Sequence, residues 1–282
     1  MVLNKGDAFV YLTANRTLPS LREGLSSLFT YFNDQFRYPI ILFHDDLNET
    51  QALSYLGAKL AQEQLCLVEF IVVEMKIPGE IDVEEAKKQH VEKFAPSRPF
   101  LSYSVMIDFW VRQVFEQPRV KQLKYFARLD SDSLLGSPIQ YDMFQMMHIE
   151  GFRYGYRVVS MDGPSVTYGM WPFVKEFVDN NTIVPKSKIR WPIKKKMFEA
   201  HVPVYYNNFE IVHVPTALTS PVWRTFTEAV VKSQNIYFRR WGDAPLRWFA
   251  AKLSLEEKEV HMFCDWIYHH QGVYNQTCAA PL

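Results

Sequence analysis

Only three cysteines, Cys66, Cys264 and Cys278, occur in 282 residues, which excludes a disulfide-scaffolded fold. They allow one bridge at most. Cys264 and Cys278 are the nearest pair, but spacing alone does not establish it. Net charge is missing as well: 31 Lys and Arg are balanced by 31 Asp and Glu. With no surplus of one sign there is no broad field to draw a polyanion or an anionic membrane, which argues against a dedicated nucleic-acid binder. No apolar window approaches the roughly 18 residues of a transmembrane helix; the longest, 65–75, is broken by Glu69 and Glu74. The amino terminus has no basic stretch followed by an apolar core, so no signal peptide is expected. Common fingerprints are absent too. There is no Gly-x-Gly-x-x-Gly or Gly-Lys-Ser/Thr phosphate loop, no Gly-x-Ser-x-Gly nucleophile elbow and no zinc-type Cys/His spacing.

What is present is apolar and aromatic. Apolar residues make up 48% of the chain and aromatic residues 15%, the signature of a packed globular protein. Most aromatic side chains are expected in the core, with a few available to line a sugar or nucleotide site. Residues 9–12 and 40–43 read as buried strands, and 67–73 as a third strand. Between them lie a helical segment with Leu21, Leu25, Leu28, Phe29 and Phe32 on one face, and a second over 49–63. That alternation predicts βαβ units and a parallel sheet. Residues 78–99 read as a long surface excursion, 101–116 as a helix, and 125–129, 154–160 and 209–214 as further strands. Residues 169–178, 221–233 and 244–253 read as helices. No linker divides the chain, so residues 1–282 are expected to form one α/β domain with a mixed sheet.

The first chemical signal is Asp130-Ser131-Asp132, two carboxylates delivered at the end of the apolar strand 125–129. Ligands of open α/β sheets bind outside the carboxyl ends of strands. Two hard oxygen donors there suit Mg²⁺ or Mn²⁺ bridging to a diphosphate. By itself the pair is a weak signal, because acidic pairs also cap loops. Lys194-Lys195-Lys196 reads as a solvated patch, and His269-His270 as either ligands or surface residues. Asn-x-Ser/Thr sequons start at Asn15, Asn48, Asn180 and Asn275; they permit a secretory location without requiring one.

Two further strings follow in order: Tyr206-Asn207-Asn208-Phe209-Glu210-Ile211 and Arg240-Trp241-Gly242-Asp243-Ala244-Pro245. With 125–132 before them and Tyr268-His269-His270 after, the chain resembles the fungal α-1,2-mannosyltransferases of glycosyltransferase family 15. The resemblance runs from Phe9 to about His270 and is strongest from Tyr103 onward. It implies a GT-A fold: a nucleotide-sugar-binding α/β domain with a mixed, mainly parallel central sheet flanked by helices. It also implies retaining transfer of mannose from GDP-mannose to a glycan or glycoprotein acceptor, aided by Mn²⁺, with Mg²⁺ as the alternative ion. The family's Glu-Pro-Asp motif falls on Asp130-Ser131-Asp132 and its late histidine ligand on His270, so these three are the expected metal ligands, Asp132 directly or through water.

Glu210 matches the family's candidate nucleophile, a carboxylate that serves either a double displacement or a same-face attack. Tyr103 falls where the family has a tyrosine near the reacting sugar and phosphates. Asp243 is expected to position substrate hydroxyls, with Arg240 and Trp241 around it and a buried Arg–Asp arrangement as the alternative. Tyr206 and Asn207 are expected sugar or acceptor contacts, and Asp45 and Asp46, which end an early strand, are expected to meet the nucleotide. The chain departs from the family at Ile107-Asp108, where the family has Cys-Arg, and at Leu246-Arg247-Trp248, where it has Val-His-Ser. The family's membrane anchor and stem are not in this sequence. That leaves a Golgi-lumenal enzyme with its anchor removed, or a soluble cytoplasmic enzyme of microbial or viral origin. Three alternatives stay open: a UDP-hexose donor, a catalytically silent glycan-binding module, and a hydrolase using Glu210 and Asp243.

Overall fold

The computed structural model describes residues 6–91, 100–271 and 273–274. Its centre is a seven-stranded sheet in the order β10-β6-β9-β4-β1-β2-β3. In chain order these are β1 (Asp7–Leu12), β2 (Ile40–His44), β3 (Val68–Val72), β4 (Tyr125–Leu129), β6 (Tyr154–Tyr156), β9 (Phe209–His213) and β10 (Val260–Met262). β9 alone runs against its neighbours β4 and β6; the other pairings are parallel. Two small antiparallel sheets complete the fold. One pairs β7 (Val159–Asp162) with β8 (Val202–Tyr205), and the other is β12-β11-β5, with β5 at Leu134–Leu135, β11 at Tyr268–His270 and β12 at Val273–Tyr274.

Side chains alternate across the sheet, as strand geometry requires. Val10, Phe43, Phe126 and Val212 pack on one face with Trp110, Trp171 and Phe249. Phe9, Leu42, Ala127 and Ile211 pack on the other with Leu21, Leu25, Phe144 and Phe263. Because both faces are covered, β1, β2, β4 and β9 are buried along nearly their whole length, which is why they read as mainly apolar, with Asp7, His44, Arg128, Glu210 and His213 as buried polar exceptions.

The expected helices at 221–233 and 244–253 are Pro221–Ser233 and Asp243–Ser254. The expected helix at 49–63 breaks instead into Glu49–Gly57 and Gln62–Leu65. The excursion at 78–99 contains the helix Val83–Val91; residues 92–99 lie outside the described residues. The expected strand 154–160 is two strands in different sheets. Between them the Arg157 side chain is buried and donates to the Trp266 carbonyl, so the chain turns out of the main sheet there.

Candidate active site

The carboxyl ends of β1, β2 and β4 meet at one edge of the sheet, and antiparallel β9 brings its amino end to the same edge. Asp130 follows directly on β4. Its N–H donates to the Asn208 carbonyl at 3.1 Å, and the Ser133 N–H closes a tight turn on the Asp130 carbonyl at 2.9 Å. β11 pairs with β5 immediately after that turn and returns His270 to it. Asp130, Asp132 and His270 each offer a ligand atom, and these atoms lie within 4.8 Å of one another. His270 Nε2 is 2.9 Å from Asp132 Oδ1 and 3.9 Å from Asp130 Oδ2. Neighbouring ligands of an octahedral ion with bonds of about 2.1 Å stand roughly 3 Å apart, so the cluster has the size and donor set for Mn²⁺ or Mg²⁺.

The surrounding residues orient these ligands. The Asn208 amide donates to Asp130. Tyr206 Oη is 2.9 Å from His270 Nδ1; a ring whose Nδ1–H donates to that oxygen presents its Nε2 lone pair to the carboxylates, the tautomer a metal ligand needs.

One turn deeper lies Arg128, a charge inside the otherwise apolar β4. Its side chain is 2% exposed and packs on Trp110 at 4.1 Å. It bonds Asp130 Oδ1 at 3.0 Å and also Asp243 Oδ2, so it ties the metal cluster to Asp243. Asn207 donates to the same Asp243 oxygen at 3.0 Å. Burial pushes the Asp243 carboxyl upward, but Arg128 outweighs it and holds the group below the usual carboxylate range. The buried Arg–Asp arrangement is therefore real, and its arginine is Arg128.

Arg240 takes a left-handed backbone, φ 55°, and lays its guanidinium over the Tyr103 ring at 3.9 Å. Burial, then the charge of Asp243, pushes the Tyr103 phenol upward, so it stays a proton donor. Trp241 does not line the site: it is 0% exposed, its indole N–H donates to the Tyr168 carbonyl at 2.8 Å and its ring meets Phe173. Glu210 is also 0% exposed and is paired with Arg247. Both carboxylates of the hydrolase alternative are thus held by arginines. Asp46 lines a cavity of about 330 Å³ with Asn15, Leu18, Asn48 and Tyr55, beyond the carboxyl ends of β1 and β2; Asp45 is not among its lining residues.

Sequence reasoning missed Arg128, Asn208, Tyr154 and Asp162. Asp162 ends β7, and burial together with the charge of Asp243 pushes its carboxyl up to about 6. A charged residue in the apolar run 125–129 is the local conflict that marks functional positions, and it was the available signal for Arg128. Cys66 is free and Cys264 is disulfide-bonded; Cys278 and the sequon at Asn275 lie outside the described residues.

The chain is 24% identical to a probable mannosyltransferase, KTR4, of Saccharomyces cerevisiae, over 95% of its own length and 61% of the relative's. It is 24% identical to the alpha-1,2 mannosyltransferase KTR1 of the same yeast, over 93% of this chain and 67% of that one. It thus spans about three fifths to two thirds of these relatives. The crystal structure of S. cerevisiae Ktr4p superposes with a TM-score of 0.85 at 23% identity, covering 98% of this chain and 73% of that one. Core-mannan synthase A of Aspergillus fumigatus, solved in a Mn/GDP form, superposes with a TM-score of 0.84 at 20% identity, covering 99% and 79%. The fold is GT-A. With the family model described as glycolipid 2-alpha-mannosyltransferase matching residues 3–281, the chain belongs to that family.

Proposed function

We propose that this chain is a metal-dependent, retaining mannosyltransferase that moves mannose from GDP-mannose to a glycan or glycoprotein acceptor through an α-1,2 link. The observation that carries this reading is the Asp130–Asp132–His270 cluster, placed where β4 ends and on the same sheet edge as the cavity at Asp46. The neighbour solved with Mn and GDP supports the choice of metal and nucleotide. When bound, Mn²⁺ (or Mg²⁺) neutralises charge on the leaving diphosphate. Asp130, Asp132 and His270 hold the ion, and Asn208 and Tyr206 hold the ligands in place. The cavity beyond β1 and β2 takes the nucleoside. Tyr103 donates to the leaving phosphate, while Asp243 and Asn207 position sugar hydroxyls, with Arg240 holding Tyr103. The leaving phosphate itself receives the acceptor proton, so no separate general base is needed. Glu210 lies buried behind the site, paired with Arg247.

Among the described residues no helix is long and apolar enough to cross a membrane. The disulfide at Cys264 belongs to an oxidising compartment and supports work in the Golgi lumen.

The test is transfer from a panel of nucleotide sugars to mannose acceptors with Mn²⁺. Turnover with GDP-mannose is expected, with loss in Asp130→Ala and His270→Ala variants whose circular dichroism is unchanged. Turnover only with a UDP-hexose, or glycan binding with no turnover, overturns the reading.

A further inference from the structure

Two residues of the sheet and two of one helix form a closed set of charges. Arg128 on β4 and Glu210 on β9 are directly opposite in register. Asp243 and Arg247 are one turn apart on the helix Asp243–Ser254. Arg128 bonds Asp243, and Arg247 Nε donates to Glu210 Oε2 at 3.1 Å. The sheet offers a cation and then an anion, and the helix offers the complement. All four side chains are buried.

Glu210 is held in this set mainly through Oε2. Its Oε2 also accepts from the Tyr154 hydroxyl at 2.8 Å, and its Oε1 lies 3.4 Å from Arg247 Nη2. Arg247 is held in turn: Nη2 donates to the Trp110 carbonyl at 2.8 Å, and its guanidinium packs over Phe115 and Trp223. A nucleophilic carboxylate must bring a free lone pair to about 3–3.5 Å from the anomeric carbon. Glu210 is 0% exposed, and swinging it out to a sugar would leave Arg247 as an unpaired buried charge, which is strongly unfavourable.

Resting on the proposed transferase activity, we infer that Arg247 is a positioning residue that holds Glu210 as a fixed anchor at the sheet–helix interface. The charge set docks the helix in a single register and so fixes Asp243 at the site.

The test is a double-mutant cycle of Glu210→Gln, Arg247→Met and the two combined, read as kcat, donor KM and melting temperature. The single variants leave one buried charge unpaired. The combined variant restores neutrality, and its kcat is expected to exceed that of Glu210→Gln by about tenfold, with donor KM near wild type. A combined variant no faster than Glu210→Gln overturns the inference. So does azide rescue of Glu210→Ala that yields a mannosyl azide. Failure of the transferase reading shows separately, as wild-type protein without turnover, and the melting temperatures still test the charge set: non-additive recovery supports it, additive loss overturns it.

Discussion

Replacing Asp162 by Asn should stabilise the protein, and only above a defined pH. Asp162 closes β7, and its environment acts on it through burial and the negative charge of Asp243, against a weaker pull from His201. These raise its carboxyl from an ordinary 3.8 to about 6. The folded protein therefore binds this proton more tightly than the unfolded chain, so ionisation of Asp162 opposes folding. The penalty is absent below about pH 4, grows through the interval up to about 6 and is complete above it. Each pH unit is worth about 1.4 kcal/mol, so the penalty reaches about 2–3 kcal/mol at pH 7. Asp162→Asn removes the charge at nearly constant shape. Urea unfolding followed by tryptophan fluorescence from pH 4 to 7.5 should show a variant about 2–3 kcal/mol more stable at pH 7 and equal to wild type near pH 4. A stability difference that does not change with pH refutes the reasoning. The charge of Asp162 also acts on Tyr103 and Tyr206. Higher stability should therefore come with slower transfer, as for a functional group kept at a cost in stability.

Three more outcomes follow from the geometry. Tyr206→Phe removes the partner of His270 Nδ1 and should weaken Mn²⁺ binding in the presence of GDP by about 10–100-fold, measured by calorimetry. Arg128→Met strips Asp243 of its buried cation and should cost about 3–5 kcal/mol in denaturant unfolding; a loss below 1 kcal/mol would show that Asn207 suffices. A Cβ on Gly155 would stand 2.7 Å from Phe263 Cε2 in the core, so Gly155→Ala should lose about 1–3 kcal/mol by overpacking, with transfer little changed once folded.

Much of the scaffold is determined by the sequence itself. β1, β2, β4 and β9 are buried on both faces, so most of their residues are apolar, and such a run is visible without any partner. The acidic pair after β4 is legible for the same reason, because polarity changes abruptly where the strand leaves the core. The helices Pro221–Ser233 and Asp243–Ser254 carry their own periodicity and prolines. The late histidine was reachable only through resemblance, since 140 positions separate Asp130 from His270 and no local pattern joins them.

Only the tertiary structure decided the rest. Strands β5, β8, β10 and β11 hold two to four residues each, too short for a period to register. Tyr154–Tyr156 parts from Val159–Asp162 because Arg157 finds a buried carbonyl on a segment more than a hundred residues away. Trp241 goes to the core because Tyr168 and Phe173 meet it there, and its own sequence neighbours say nothing of either. Arg247 looked like a departure from its family; in the fold it answers Glu210 across the sheet–helix interface. Local sequence determines which residues are buried together along one element, because burial has a period. It does not determine which buried charge faces which, because that pairing exists only once distant strands and helices lie side by side.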